Sequence, residues 1–200
     1  MPTFASRDPS APEFWSERFE QEFTPWDRGD VPAAFRQFVA QSPRPYATLI
    51  PGCGTGYEVA CLSEAGWDVT AIDFSAAAVE AARKVLGRWA DRVVQADFFA
   101  FAPSHPVELI YERAFFCALP HRMRQAVVNR WAELLPPGGL LAGFFFFDDT
   151  PKGPPFGIAP AELESLLVPF FERIAGEAVA DSLPVFAGKE RWQVWRRRER

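Results

Sequence analysis

Tyr46-Ala-Thr-Leu-Ile-Pro-Gly-Cys-Gly-Thr-Gly56 carries a short apolar run into three glycines at alternate positions. A helix-compatible segment follows, and a second apolar run then ends on one carboxylate in Ala71-Ile-Asp-Phe-Ser75. This is the layout of a nucleotide-binding strand–loop–helix–strand unit. Glycines let the chain turn sharply after the first strand and bring backbone N–H groups close to a ligand. Asp73, at the carboxyl end of the second strand, is placed to accept both hydroxyls of a ribose. Phe74 and Ser75 follow it, and Ser75 is a natural N-cap for the next helix.

The spacing separates two kinds of nucleotide. A dinucleotide turn reads G-x-G-x-x-G and rests a pyrophosphate on a helix N-terminus. Here the third glycine comes one residue early, at Gly52, Gly54 and Gly56, with Tyr57 in the dinucleotide position. That form suits S-adenosyl-L-methionine, whose amino-acid end lies against the loop. Arg92-Val-Val-Gln-Ala-Asp-Phe-Phe99 is a further short apolar strand that ends on a carboxylate followed by aromatics. Asp97 is placed to accept from an adenine amino group and Phe98 to cover the ring face. Three successive strand ends thus offer a glycine loop, a ribose acceptor and an adenine acceptor. The expected cofactor is S-adenosyl-L-methionine, with S-adenosyl-L-homocysteine as product. The same spacing and the Asp97-Phe98 pair count against a nicotinamide-dependent oxidoreductase. Intact glycines and acidic strand ends count against a non-catalytic binding module.

The rest of the chain alternates strands and helices. Helices are expected over Pro12–Glu22 and over Val31–Gln41, with Pro32 in the first turn of the latter. Strand Ala47–Ile50 leads to helix Tyr57–Ala65, strand Asp68–Ile72 to helix Ala76–Leu86, and strand Val93–Gln95 follows. Strand Val107–Glu112 precedes a helix over Arg122–Leu135, and Pro136-Pro-Gly-Gly139 breaks the chain before strand Leu140–Phe147. Four consecutive phenylalanines, Phe144 to Phe147, lack alternation, as in a central strand covered on both faces. A helix near Pro160–Val168 and closing strands Phe171–Val179 and Arg191–Arg197 complete the pattern. The fold expected is α/β: a doubly wound, Rossmann-like, mainly parallel seven-stranded sheet with helices on both faces. One domain spans residues 1–200, with 1–11 a loose tail and 12–41 an N-terminal helical lid.

Composition excludes other classes. A net charge of −5 over 200 residues argues against a nucleic-acid partner. The Arg196-Arg-Arg198 run is interleaved with glutamate and reads as a solvated tail. Cys53, Cys61 and Cys117 share no metal-like spacing, and Cys53 and Cys117 read as small buried fillers. Two histidines, His105 and His121, assemble no metal site, so no metal is expected. No leader and no membrane-length apolar run is visible, which sets a cytoplasmic, membrane-free monomer as the default. Asp148 and Asp149 follow strand five, where a solvated loop and a catalytic base are both open.

Several further motifs carry a family resemblance. Leu49-Ile-Pro-Gly-Cys-Gly54 places Ile50 where most class I methyltransferases carry an acidic residue. Thr24-Pro-Trp-Asp-Arg-Gly29, Phe115-Phe-Cys-Ala-Leu119, Gly153-Pro-Pro-Phe156 and Gly188-Lys-Glu-Arg-Trp192 fall in order along the chain. From about Phe14 to Trp195 the chain resembles the thiopurine S-methyltransferase family of class I S-adenosylmethionine-dependent methyltransferases, and its thiol/halide branch in particular. The resemblance implies that Trp15, Phe19 and Trp26 close over the cofactor. It implies that Gly52 contacts the methionine end, Asp73 the ribose, and Asp97 with Phe98 the adenine. Phe19 replaces the tryptophan of the plant branch. Glu112, a further cofactor contact, and Arg113 replace that branch's Asp-Tyr pair, while Arg113 matches the arginine of the thiopurine enzymes. Arg113, Phe115, Phe116 and Phe156 are expected to wall the pocket of a small-molecule methyl acceptor. The implied activity is methyl transfer to a small soft nucleophile, a thiol sulfur first, with halide or selenium and tellurium species as alternatives. No catalytic base is assigned.

Overall fold

A computed structural model describes residues 2–199. Seven strands form one sheet in the order β3-β2-β1-β4-β5-β7-β6. The strands are β1 Thr48–Pro51, β2 Val69–Asp73, β3 Val93–Gln95, β4 Leu109–Arg113, β5 Leu140–Phe146, β6 Phe171–Ala178 and β7 Glu190–Arg197. Parallel pairs join β1 to β4, β2 to β3 and β4 to β5. β7 runs antiparallel between β5 and β6, so the sheet is mixed at one end and mostly parallel elsewhere. The strand order reverses after β3, the doubly wound arrangement of Rossmann-like folds. The six α-helices are α1 Pro12–Glu20, α2 Ala33–Gln41, α3 Tyr57–Glu64, α4 Ala76–Leu86, α5 Arg124–Leu134 and α6 Pro160–Leu167.

The chain groups into two compact units where the sequence predicts one domain. The first comprises Met1–Pro45 and Ile50–Phe101, the second Tyr46–Leu49 and Ala102–Arg200. In the first unit, Phe35 of α2, Val59 and Leu62 of α3, Ala71 and Ile72 of β2 and Ala78 and Ala82 of α4 are buried. α1 stops at Glu20, two residues short of the expected end, because Glu22 takes a left-handed φ of 52° that cannot continue a helix. Pro32 is the N-cap of α2, with extended ψ, and not part of its first turn. Residues 2–11 are less loose than the composition suggests. The amides of Ala5 and Ser6 donate to the Glu17 carboxylate, and the Trp15 indole donates to the Pro9 carbonyl at 2.8 Å.

In the second unit, Tyr111, Trp131, Leu141, Phe145, Phe171 and Trp195 are the large buried side chains. All residues of β5 but Leu140 are buried, as a strand paired on both edges and covered on both faces requires. Strand pairing at β4 begins at Leu109, not Val107, since Glu108 and Leu109 first donate to the Ala47 carbonyl. At the register pair Glu112–Gly143 the backbones close together: a Cβ on Gly143 would lie 2.1 Å from the Glu112 carbonyl oxygen.

Candidate active site

The glycine loop of the first unit is built by backbone conformation. Gly52, Gly54 and Gly56 all have φ between 53° and 68°, a region that strains any residue with a Cβ. Asp73 ends β2 and is buried. One carboxylate oxygen accepts from the Gly54 amide at 3.1 Å and the other from the Ser75 amide at 2.9 Å. Burial pushes its pKa up to about 6, against the opposing pull of those amides. The Ser75 hydroxyl caps α4 through the Ala78 amide, as its position after β2 predicts. Phe74 is half-buried, and its carbonyl accepts from the Gln95 side chain. The Ala96 amide donates to the Asp73 carbonyl at 3.0 Å, bringing the loop after β3 to the end of β2. On that loop the Asp97 carboxylate is exposed and accepts from the Phe99 amide. Phe98 follows, with its ring 5% exposed and edge-on to Phe99.

The N-terminal aromatics gather at the glycine loop. Trp26 meets Trp15 edge-on at 5.3 Å and Phe19 at 6.1 Å, and all three are half-buried. The Phe19 ring closes on the loop itself, 3.5 Å from where a Cβ of Gly54 would sit. Two hydroxyl contacts fasten this segment, and neither stands out in the sequence. Thr55 of the glycine loop donates to Asp27 at 2.8 Å, and the Ser16 and Ser75 hydroxyls lie 2.9 Å apart. Asp27 belongs to the Thr24-Pro-Trp-Asp motif, which gave the only hint of this contact. Thr55→Val removes the Asp27 contact with little change of shape. The expected result is S-adenosylhomocysteine dissociating about fivefold faster by stopped flow, the scale of about 1 kcal/mol for one hydrogen bond. An unchanged rate would detach this contact from cofactor retention.

In the second unit, Glu112 of β4 is the most unusual group. It is 1% exposed, and its Oε1 accepts from the Phe115 and Phe116 amides at 3.2 and 3.0 Å. Its Oε2 is buried with no hydrogen-bond partner among the described residues. Burial pushes its pKa up to about 8; Glu190 adds to the rise, while the two amides and Arg113 oppose it. At neutral pH the group is therefore held largely as the neutral acid. Arg113 lies with its guanidinium 5.7 Å from the Phe144 ring. Phe115 and Phe156 are half-buried. Phe116 is instead a core residue, stacked obliquely on Trp131 at 5.3 Å and 5% exposed.

Asp148 follows β5 and is half-buried. Its carboxylate pairs with Lys189 at 2.7 Å and accepts from Thr150, and the Lys189 contact above all holds it below the usual carboxylate range. A carboxylate held below its usual range is a weaker base. The three cysteines are free thiols, and burial pushes all three up, Cys53 and Cys117 strongly. None is a ready thiolate. Among the described residues no cluster of three or more His, Cys, Asp or Glu is arranged to hold a metal ion.

A family profile described as thiopurine S-methyltransferase matches residues 10–200. The chain belongs to the thiopurine S-methyltransferase family. It is thus an S-adenosylmethionine-dependent methyltransferase that acts on a small-molecule acceptor. A probable thiol methyltransferase 2 of Arabidopsis thaliana is 33% identical over 168 residues, covering 80% of this chain and 74% of that one. A thiocyanate methyltransferase 1 of the same plant is 30% identical over 190 residues, covering 92% and 84%. Among solved structures, an N-methyltransferase from Bradyrhizobium japonicum in complex with S-adenosyl-L-homocysteine superposes with a TM-score of 0.71. It is 18% identical, covering 92% of this family member and 98% of that chain, a likeness of fold.

Proposed function

We propose that this enzyme methylates the sulfur of a small thiol. The observation that carries the reading is the end of β4 and the turn after it, where a guanidinium, Arg113, stands in a segment rich in aromatic rings. A cation beside apolar walls favours a soft, weakly hydrated anion such as a thiolate over a hard oxygen nucleophile, and lowers the pKa of a thiol held there. S-adenosylmethionine supplies a methyl group already activated on a sulfonium. The chain's own task is to hold, orient and exclude water, which alone contributes several kcal/mol.

On this reading Gly52, Gly54 and Gly56 present backbone to the methionine end, and Asp73 accepts from the ribose. Asp97 accepts from adenine, with Phe74 and Ser75 beside the ribose site. Trp15, Phe19 and Trp26 form the lid. The residues fit such a cofactor: the left-handed glycines keep the loop bare for close backbone approach. Phe115 and Phe156, with Arg113, take the acceptor. Iodide and reduced selenium or tellurium species share the softness of sulfur and form the second reading, favoured by the same guanidinium. Three free cysteines suit a reducing cytoplasm, and the net charge of −5 disfavours nucleic acid. Among the described residues no helix is long and apolar enough to cross a membrane. A monomer is the working state proposed.

Calorimetric titration with S-adenosylhomocysteine, with NAD as control, tests the first half of this reading. Micromolar binding of the former alone is expected; no binding would leave a non-catalytic scaffold. Turnover with thiophenol, hydrosulfide, thiocyanate and iodide tests the second half, and a preference for iodide over both thiols would overturn the thiol assignment. In the same titration Asp73→Ala is expected to weaken S-adenosylhomocysteine by roughly 1.5–3 kcal/mol, the scale of hydrogen bonds to a charged group. Unchanged affinity would remove Asp73 from the site.

A further inference from the structure

Arg124 opens α5 with its guanidinium buried. Nη2 donates to the Gly157 carbonyl, Nη1 pairs with Glu162 of α6 at 2.8 Å, and the Phe116 ring centre lies 5.9 Å from its guanidinium carbon. Gly157 directly follows Phe156. The Phe156 amide donates to the Cys117 carbonyl at 2.6 Å, and its ring meets His121 edge-on at 5.5 Å. Gly157 sits where a Cβ would fall 2.3 Å from the Asp148 carbonyl oxygen, and the Ile158 amide donates to the Phe146 carbonyl at 3.2 Å. The loop is therefore tied to the turn after β4 and to the end of β5, and Arg124 is the side chain that anchors it from α5.

A buried guanidinium is an inefficient way to stabilise a fold, because its desolvation offsets much of what its pairs return. Here Nε is buried with no partner among the described residues, while Glu162 is half exposed to water. What the planar fork supplies is direction, since it engages a carbonyl and a carboxylate at fixed angles at once. We propose that Arg124 is a positioning residue for acceptor selectivity, holding the Phe156 loop against the turn that carries Phe116. The proposal rests on the reading of Phe156 as an acceptor wall. An acceptor bulky enough to reach that wall should then depend on Arg124, whereas hydrosulfide should not.

Arg124→Met keeps the volume and removes the cation, and Arg124→Lys restores the charge without the fork. For Arg124→Met the thermal midpoint is expected to stay level or rise. KM for thiophenol is expected to rise about tenfold with kcat within about threefold, the signature of lost acceptor binding. KM for hydrosulfide and the Kd of S-adenosylhomocysteine should not move. Hydrogen exchange at the Phe156 and Ile158 amides should quicken about tenfold or more, as local opening predicts, with partial recovery in Arg124→Lys. Unchanged exchange at those amides overturns the positioning role. A fallen thermal midpoint, with kcat, both KM values and the Kd all impaired together, overturns it in favour of a general structural role. A wild-type enzyme that binds S-adenosylhomocysteine but methylates neither thiol overturns the acceptor assignment, and the exchange rates still decide whether Arg124 holds the loop.

Discussion

Gly143→Ala is expected to lower the thermal midpoint by about 8–16 °C, from a loss of about 4 kcal/mol at about 2–4 °C per kcal/mol for a chain of this size. The cause is steric and lies in backbone. A Cβ at position 143 would fall 2.1 Å from the Glu112 carbonyl oxygen, 2.7 Å from the Glu112 Cβ and 2.9 Å from its carbonyl carbon. None of these atoms can swing away, because β4 and β5 are paired over five consecutive residues there. Relief requires the strands to separate, which breaks ladder hydrogen bonds in a sheet buried on both faces. Gly176→Ala is the matched control. It is also a strand glycine, but a Cβ there meets nothing nearer than the Arg173 side chain at 3.7 Å. Its midpoint should move by only a few degrees, since exposed strand glycine is weakly disfavoured to begin with. Calorimetric scans of the two variants decide the matter. Similar midpoints in both would show that the approach of β4 to β5 is looser than described.

Glu112→Gln is expected to stabilise the cofactor-free protein at pH 8 by about 3 kcal/mol and to change it little at pH 5. The Glu112 pKa is raised by burial from 4.5 to about 8. The folded chain thus holds a proton that the unfolded chain gives up above pH 4.5, and stability falls as pH rises from there through about 8. The full difference, 8 − 4.5 = 3.5, corresponds to about 5 kcal/mol at 1.36 kcal/mol per unit, of which about 1 is already lost by pH 5. The groups acting on the carboxyl are the Phe115 and Phe116 amides, Glu190 and Arg113, and glutamine keeps an oxygen for the amides. Denaturant titrations at pH 5 and pH 8 read the effect. Equal stabilities of wild type and variant at pH 8 would mean that the carboxylate is not penalised in the fold.

Much of this was legible in the chain. The alternating glycines, the carboxylates closing β2 and β3, and Ser75 as N-cap follow local rules of turn, strand end and cap, and the structure places them as those rules require. The doubly wound, mainly parallel character of the sheet was also legible, because apolar runs separated by helical segments leave few arrangements. The elements that escaped depend on contacts distant in sequence. Thr55 and Asp27 are 28 residues apart, and Arg124 and Gly157 are 33 apart, and nothing in either segment names its partner. Phe98 and Phe116 show a different limit. An aromatic beside a strand end reads the same whether its ring is open or buried, and both rings are buried. Glu22 turned α1 aside through a backbone conformation that its side chain does not advertise.

The close approach at Gly143 bears on how such a chain can diversify. Position 143 admits no side chain, and the neighbouring strand end is locked to it, so the platform beneath the chemistry offers almost no room for tinkering. Residues 149–153, by contrast, are exposed, and the 3₁₀ turns Phe116–Ala118 and His121–Met123 lie in a connection free of the sheet ladder. Changes of sequence are therefore absorbed more readily in those loops than at the paired strand ends.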